Sequence, residues 1–221
     1  SLKSPWITEF KGPKQKDANA YRIFSFACAG GSIVDFRALD VELPSWIRIV
    51  GMELPGHMTR ITDPYANTIQ EAAAGAASAI EIYMRSVKPR GIALLGHSLG
   101  TLVAYEVCRL LEARQDPSLK PFMVFSCATD PPHHRGGCPG RFSKLAAVTD
   151  VEEFIQKHIE VFPDSHLLEL WKQQPRFAID FAKILQSDVQ LLSRYDVNAQ
   201  NPGFSAKVNA KFVPFFGQGD D

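Results

Sequence analysis

Gly91-Ile-Ala-Leu-Leu-Gly-His-Ser-Leu-Gly-Thr-Leu-Val-Ala-Tyr-Glu-Val107 decides how this chain folds. Its first six residues form a short apolar run bounded by glycines, as expected of a parallel strand covered on both faces. From Ser98 onward the apolar residues take helical spacing, at Leu102, Val103, Val107, Leu110 and Leu111, before the chain turns polar at Arg114. Between the two lies the pentapeptide Gly96-His97-Ser98-Leu99-Gly100, which matches G-x-S-x-G. That pattern is common by chance. A strand before it and an amphipathic helix after it make it a nucleophile elbow. The turn strains the serine backbone and needs small neighbours, which Gly96 and Gly100 provide. It lifts the hydroxyl off the sheet and aims the first helical N–H groups at a developing oxyanion. Ser98 is the candidate nucleophile.

The same rhythm extends on both sides. Tyr21–Cys28, Trp46–Glu53, Phe122–Ala128 and Phe212–Phe216 are further strand candidates. Thr68 to Ser86 reads as a helix, opened by the capping box Thr68-x-x-Glu71 and closed before Pro89. Alternation of this kind predicts a doubly wound, mostly parallel α/β sheet. One region departs from it. Leu145 to Tyr195 carries helical signals and no strand, with a capping box at Thr149-x-x-Glu152 and breaks at Pro163 and Pro175. A helical insertion between two strands reads as a lid over a pocket, against the plainer reading that these helices cover the sheet. The expected organisation is one domain over 1–221, with its core at 20–130 and 205–221 and its lid at about 145–195.

Composition narrows the function. The 221 residues carry 24 basic and 24 acidic side chains, so there is no cationic surplus of the kind nucleic-acid binding requires. No apolar run approaches the ~20 residues of a membrane helix. Ser1 to Phe10 has neither the basic flank nor the apolar centre of a secretory leader. Cys28, Cys108, Cys127 and Cys138 do not cluster as zinc ligands do, and they read as reduced thiols in a cytoplasmic setting.

A serine nucleophile needs a base, and the base an acid that fixes its tautomer. On an elbow of this type the chain order is serine, acid, histidine. The run Phe212-Val-Pro-Phe-Phe-Gly-Gln-Gly-Asp-Asp221 offers a strand, a small-residue turn and two candidate acids, Asp220 and Asp221. The six histidines all precede it. His97 adjoins the serine but should point away from it, and His57 follows the second strand. His133 and His134 follow the fourth strand, while His158 and His166 lie in the helical region. A rearranged triad using one of these is the minor alternative. The expectation is a histidine beyond Asp221, on a further strand and helix.

Four ordered segments resemble the type II thioesterases, the editing enzymes of polyketide and nonribosomal peptide synthesis. Gly96 to Val107 resembles their elbow and helix, and Phe26-Ala-Cys-Ala-Gly-Gly-Ser32 resembles their oxyanion loop, usually F-P-H-A-G-G-S. Glu53-Leu-Pro-Gly-His-Met-Thr-Arg60 resembles L-P-G-R-G-x-R, and Leu185-Gln-Ser-Asp-Val-Gln-Leu-Leu-Ser-Arg-Tyr195 resembles the lid motif L-R-A-D-F-x-L-L-E-x-Y. Ser4-Pro-Trp-Ile7 also looks like the start of stand-alone members. The resemblance implies an α/β-hydrolase fold. It makes Ser98 the nucleophile, Asp221 the acid with Asp220 the weaker candidate, and the Ala29 and Leu99 N–H groups the oxyanion hole. The family's histidine would lie about 25 residues beyond Asp221. Here Ala27 and Cys28 replace Pro-His, His57 and Met58 replace Arg-Gly, and the loop Pro131 to Arg141 is longer than usual.

The implied reaction is hydrolysis of an acyl thioester on the phosphopantetheine arm of an acyl or peptidyl carrier protein. No metal or cofactor is called for, and the expected state is a monomer. His133, His134, Arg135, Arg141 and Lys144 could meet a phosphate or an acidic carrier, although a solvated polar loop is the plainer reading. The rivals are a small-molecule esterase or acyltransferase on the same fold, and a catalytically silent relative that binds acyl chains or carriers.

Overall fold

The computed structural model describes residues 4–10, 16–128, 140–196 and 207–215. Six strands form one sheet: β1 (Ile7–Glu9), β2 (Tyr21–Phe26), β3 (Ile47–Met52), β4 (Ile92–His97), β5 (Met123–Cys127) and β6 (Lys211–Phe215), in the order β1-β3-β2-β4-β5-β6. All neighbours are parallel except β1, which runs antiparallel to β3. The five strands expected from sequence are all present. The edge strand β1 was not foreseen.

Period-two patterning sorts the sheet residues. Phe24, Phe26, Val50, Met52, Ile92, Leu94 and Val124 pack with α2 (Ile69–Ser86) and α3 (Leu99–Glu112). Ile23, Ile49, Leu95 and Phe125 point to the other face, with Ile33 and Phe36 from the turn before α1 (Arg37–Glu42). Thr68 caps α2 as expected by accepting from the Glu71 N–H at 3.0 Å. The Glu71 carboxylate, however, accepts from the Asn67 N–H at 2.8 Å, so only half of the expected box forms. The helix α3 also corrects an expectation of amphipathy. Its polar residues Glu106 and Arg109 are buried with the rest, paired to each other at 3.1 Å, and the Tyr195 hydroxyl donates to Glu106 at 2.8 Å.

The region foreseen as helical contains α4 (Gly140–Ala146), α5 (Val151–Val161), α6 (His166–Gln173) and α7 (Pro175–Arg194). These helices share their own apolar cluster, centred on Leu145, Phe154, Leu167, Ala182 and Val189. Pro175 opens α7, where its missing N–H costs nothing. The cap of α5 is Asp150, accepting from Glu153 N–H at 2.9 Å, rather than Thr149 with Glu152. A one-residue shift gives the acceptor role to the carboxylate, which suits the positive end of the helix dipole.

Candidate active site

The sheet order places a switch point at β2 and β4, because β3 lies on one side of β2 and β4 on the other. Loops leaving the carboxyl ends of two such strands diverge and open a crevice between them. Phe26 pairs with Gly96 at that end, so the chain after β2 and the turn after β4 emerge side by side.

Ser98 occupies this turn with φ 51° and ψ −113°, a conformation costing about 1–3 kcal/mol that the surrounding structure must hold. Its N–H donates to the Cys127 carbonyl at 2.8 Å, and the Thr101 hydroxyl donates to the Gly96 carbonyl at 2.9 Å. Both glycines are sterically required. A Cβ on Gly96 would strike the Thr101 backbone, and one on Gly100 the Phe26 and Ala27 carbonyls. The first turn of α3 thus lies directly on the chain leading into the next loop.

In that loop the amides are unevenly used. The Gly30 N–H donates to Asp188 Oδ2 at 2.7 Å, and the Gly31 N–H to the Cys28 carbonyl at 2.9 Å. The Ala29 and Leu99 N–H groups have no acceptor among the described residues. Cys28, Ala29 and Ser98 line an open cavity of about 480 Å³ together with Phe142, Phe162 and Leu185 of the helical layer. Burial, with Asp35 and Asp188 nearby, raises the Cys28 pKa, so it presents a thiol rather than a thiolate.

The structure also assembles a polar centre that sequence reasoning missed. His57, after β3, and Asp188, on α7, are both buried and meet at 3.0 Å from Nε2 to Oδ2. The other ring nitrogen lies 3.0 Å from the Pro55 carbonyl. Burial disfavours the imidazolium, but hydrogen bonding and charge from Asp188, with Pro55 and Glu53 adding, outweigh it and raise the His57 pKa. The same Asp188 oxygen receives the Gly30 N–H, so one carboxylate ties α7 to both loops. Glu53, 2% exposed, accepts from Ser32 Oγ at 3.3 Å, and its pKa is raised chiefly by burial. The only signal for this centre was the simultaneous presence of the two loop motifs and the α7 motif.

Other histidines are placed differently. His166 is exposed, whereas His158 on α5 lines the cavity with Ser98. Its recorded polar partner is Ser165, 3.4 Å from Nδ1, and Ser98 Oγ has no hydrogen-bond partner among the described residues. Asp220, Asp221, His133, His134, Arg135 and Cys138 lie outside the described residues, as does the Arg141 side chain; Lys144 is exposed on α4. No group of three or more metal-ligating side chains occurs among the described residues, and no described helix is long and apolar enough to cross a membrane.

A mostly parallel sheet with a strained serine between β4 and α3, beside an open amide after β2, defines an α/β-hydrolase. The thioesterase-domain family matches residues 21–212, and the chain belongs to that family. It is 31% identical over 130 residues to linear gramicidin dehydrogenase LgrE of Brevibacillus parabrevis, covering 59% of this chain and 46% of that protein. Thioesterase PikA5 of Streptomyces venezuelae is 30% identical over 109 residues, covering 49% of this chain and 37% of the relative. In both cases the match spans less than half of the relative's length. The fold is shared with RedJ, a thioesterase from the prodiginine biosynthetic pathway of Streptomyces coelicolor, at a TM-score of 0.70. That structural match has 22% identity and covers 92% of this chain and 80% of RedJ.

Proposed function

We propose that the protein hydrolyses acyl thioesters carried on the phosphopantetheine arm of an acyl or peptidyl carrier protein, through an acyl-enzyme on Ser98. The observation that carries this reading is Ser98 on a strained elbow, sharing one cavity with the uncommitted Ala29 amide. Ser98 Oγ attacks the thioester carbon, and the carbonyl oxygen takes negative charge opposite the Ala29 and Leu99 N–H groups. Each such donor is worth about 10²–10³-fold in rate. The C–S bond breaks and the thiol departs with a proton; water then releases the acid and restores the serine. Asp221, or less favourably Asp220, orients a histidine that the family resemblance puts further along the chain. The helices over 145–195 act as the lid that covers the acyl chain. A cytoplasmic monomer fits the same reading.

Turnover of an acyl-pantetheine thioester by the full-length protein, compared with an aryl ester of the same acid, tests it. A higher kcat/KM for the thioester is expected. Preference for the aryl ester would favour a general esterase, and binding of the thioester without turnover would favour a silent acyl-binding relative.

A further inference from the structure

The Ser98 cavity contains a polar group that hydrolysis does not use. His158, on α5, is 8% exposed and lines the cavity with Ser98. Its ring is held between Phe162, with centroids 5.0 Å apart, and Phe154, at 6.0 Å. Nδ1 faces the Ser165 hydroxyl at 3.4 Å. Nε2 has no hydrogen-bond partner among the described residues. A largely buried ring that lines a cavity and keeps one nitrogen unpaired can serve a polar group on what fills that cavity. Phe142, Val161, Phe162 and Leu185 make much of the remaining lining apolar, with Ser165 and the exposed Asp164 as its polar members.

Resting on the thioester-hydrolase reading, we propose that His158 is a specificity-determining residue that selects acyl chains bearing a hydroxyl group over unsubstituted alkyl chains. Burial lowers the His158 pKa, so the ring is neutral at neutral pH and presents one N–H donor and one lone-pair acceptor. Which of these faces the cavity depends on the proton shared with Ser165. A hydroxyl group can satisfy either, since it donates and accepts. A carboxylate would meet no opposite charge on this ring and a like charge on Asp164, and an ammonium group would be served by Asp164 rather than by His158. An alkyl chain packed against the ring would displace water from Nε2 and supply no partner, a penalty that converts to about tenfold in affinity.

The test compares kcat/KM of the full-length protein for N-acetylcysteamine thioesters of octanoate and of 3-, 5- and 7-hydroxyoctanoate. At least one hydroxylated substrate is expected to exceed octanoyl by about tenfold. His158→Phe, which suits its aromatic neighbours, should collapse that ratio, and His158→Gln, which keeps a donor and an acceptor, should restore it. The free acids are titrated into Ser98→Ala in parallel, where the same preference should appear as binding without turnover. A wild-type protein that favours octanoyl over all three, or a preference that survives in His158→Phe, overturns the proposal. Absent hydrolysis with the binding preference intact would instead refute the hydrolase reading and leave the selectivity standing.

Discussion

Replacing His57 by alanine leaves the Asp188 carboxylate buried without its side-chain partner. Asp188 is fully buried, its Oδ2 accepts from Gly30 at 2.7 Å and from His57 at 3.0 Å, and its Oδ1 has no partner among the described residues. Breaking a buried pair by removing one member costs about 3–5 kcal/mol, because the remaining charge is uncompensated. For a domain of this size, each kcal/mol lowers Tm by about 2–4 °C, so His57→Ala should melt about 6–20 °C lower. His57→Gln, which keeps an N–H for Asp188, should lose only about 1–3 kcal/mol. The pH dependence follows from the raised His57 pKa. A histidine whose pKa is higher folded than unfolded gives its full stabilisation below the unfolded value and loses it as pH rises through the folded one. The groups facing His57 are Asp188 from α7, Glu53 and the Pro55 carbonyl from its own loop, and the Tyr65 ring edge-on at 6.5 Å. Glu53, its own pKa raised by burial and held back by the His57 charge, is coupled to His57, and losing that charge at low pH acts in the same direction as the loss at Asp188. Urea denaturation of wild type and His57→Gln at pH 5.5 and pH 9 should therefore show a wider gap at the lower pH. An equal gap at both, or a His57→Ala protein within 1 kcal/mol of wild type, refutes the reasoning.

Other expectations follow from single contacts. Asp188→Asn should reduce kcat by about 10²-fold by releasing the loop that carries Ala29, with a smaller change in KM, measured by steady-state thioester hydrolysis. Gly100→Ala should cost at least about 3 kcal/mol in thermal unfolding, since its Cβ meets the Phe26 and Ala27 carbonyls rather than a movable side chain. Met58, exposed and at φ 26° where the family pattern has glycine, should gain about 0.5–1 kcal/mol on Met58→Gly in urea denaturation. Tyr195→Phe removes the hydroxyl that donates to the buried Glu106 at 2.8 Å and should cost about 1–3 kcal/mol by the same method.

The five strands of the parallel core were legible because each carries a hydrophobic face that local patterning reveals. The strand β1 was not, since three residues cannot establish a period and it is anchored from outside its own sequence. Trp6, next to it, packs on Gly75, where any Cβ would collide with the ring, and lies under the Arg60 guanidinium at 4.1 Å. The buried polarity of α3 was hidden for a related reason: Glu106 is satisfied by Arg109 and by Tyr195, 89 positions away. Ser98 could be found locally because the elbow is a short-range device. Ala29 was singled out only through the family resemblance; residue patterning alone could not separate it from Gly30 or Gly31, because the Gly30 acceptor is 158 residues distant. His57 and Asp188 were each visible within motifs, but their pairing across 131 residues was not.

The central claim is a covalent acyl-enzyme on Ser98. Peptide mass mapping of the full-length protein, quenched during turnover of an octanoyl-pantetheine thioester, tests it most directly. An octanoyl adduct is expected on the peptide containing Ser98, and both the adduct and hydrolysis are expected to be absent in Ser98→Ala. Hydrolysis that persists in Ser98→Ala, or an adduct on another residue, contradicts it.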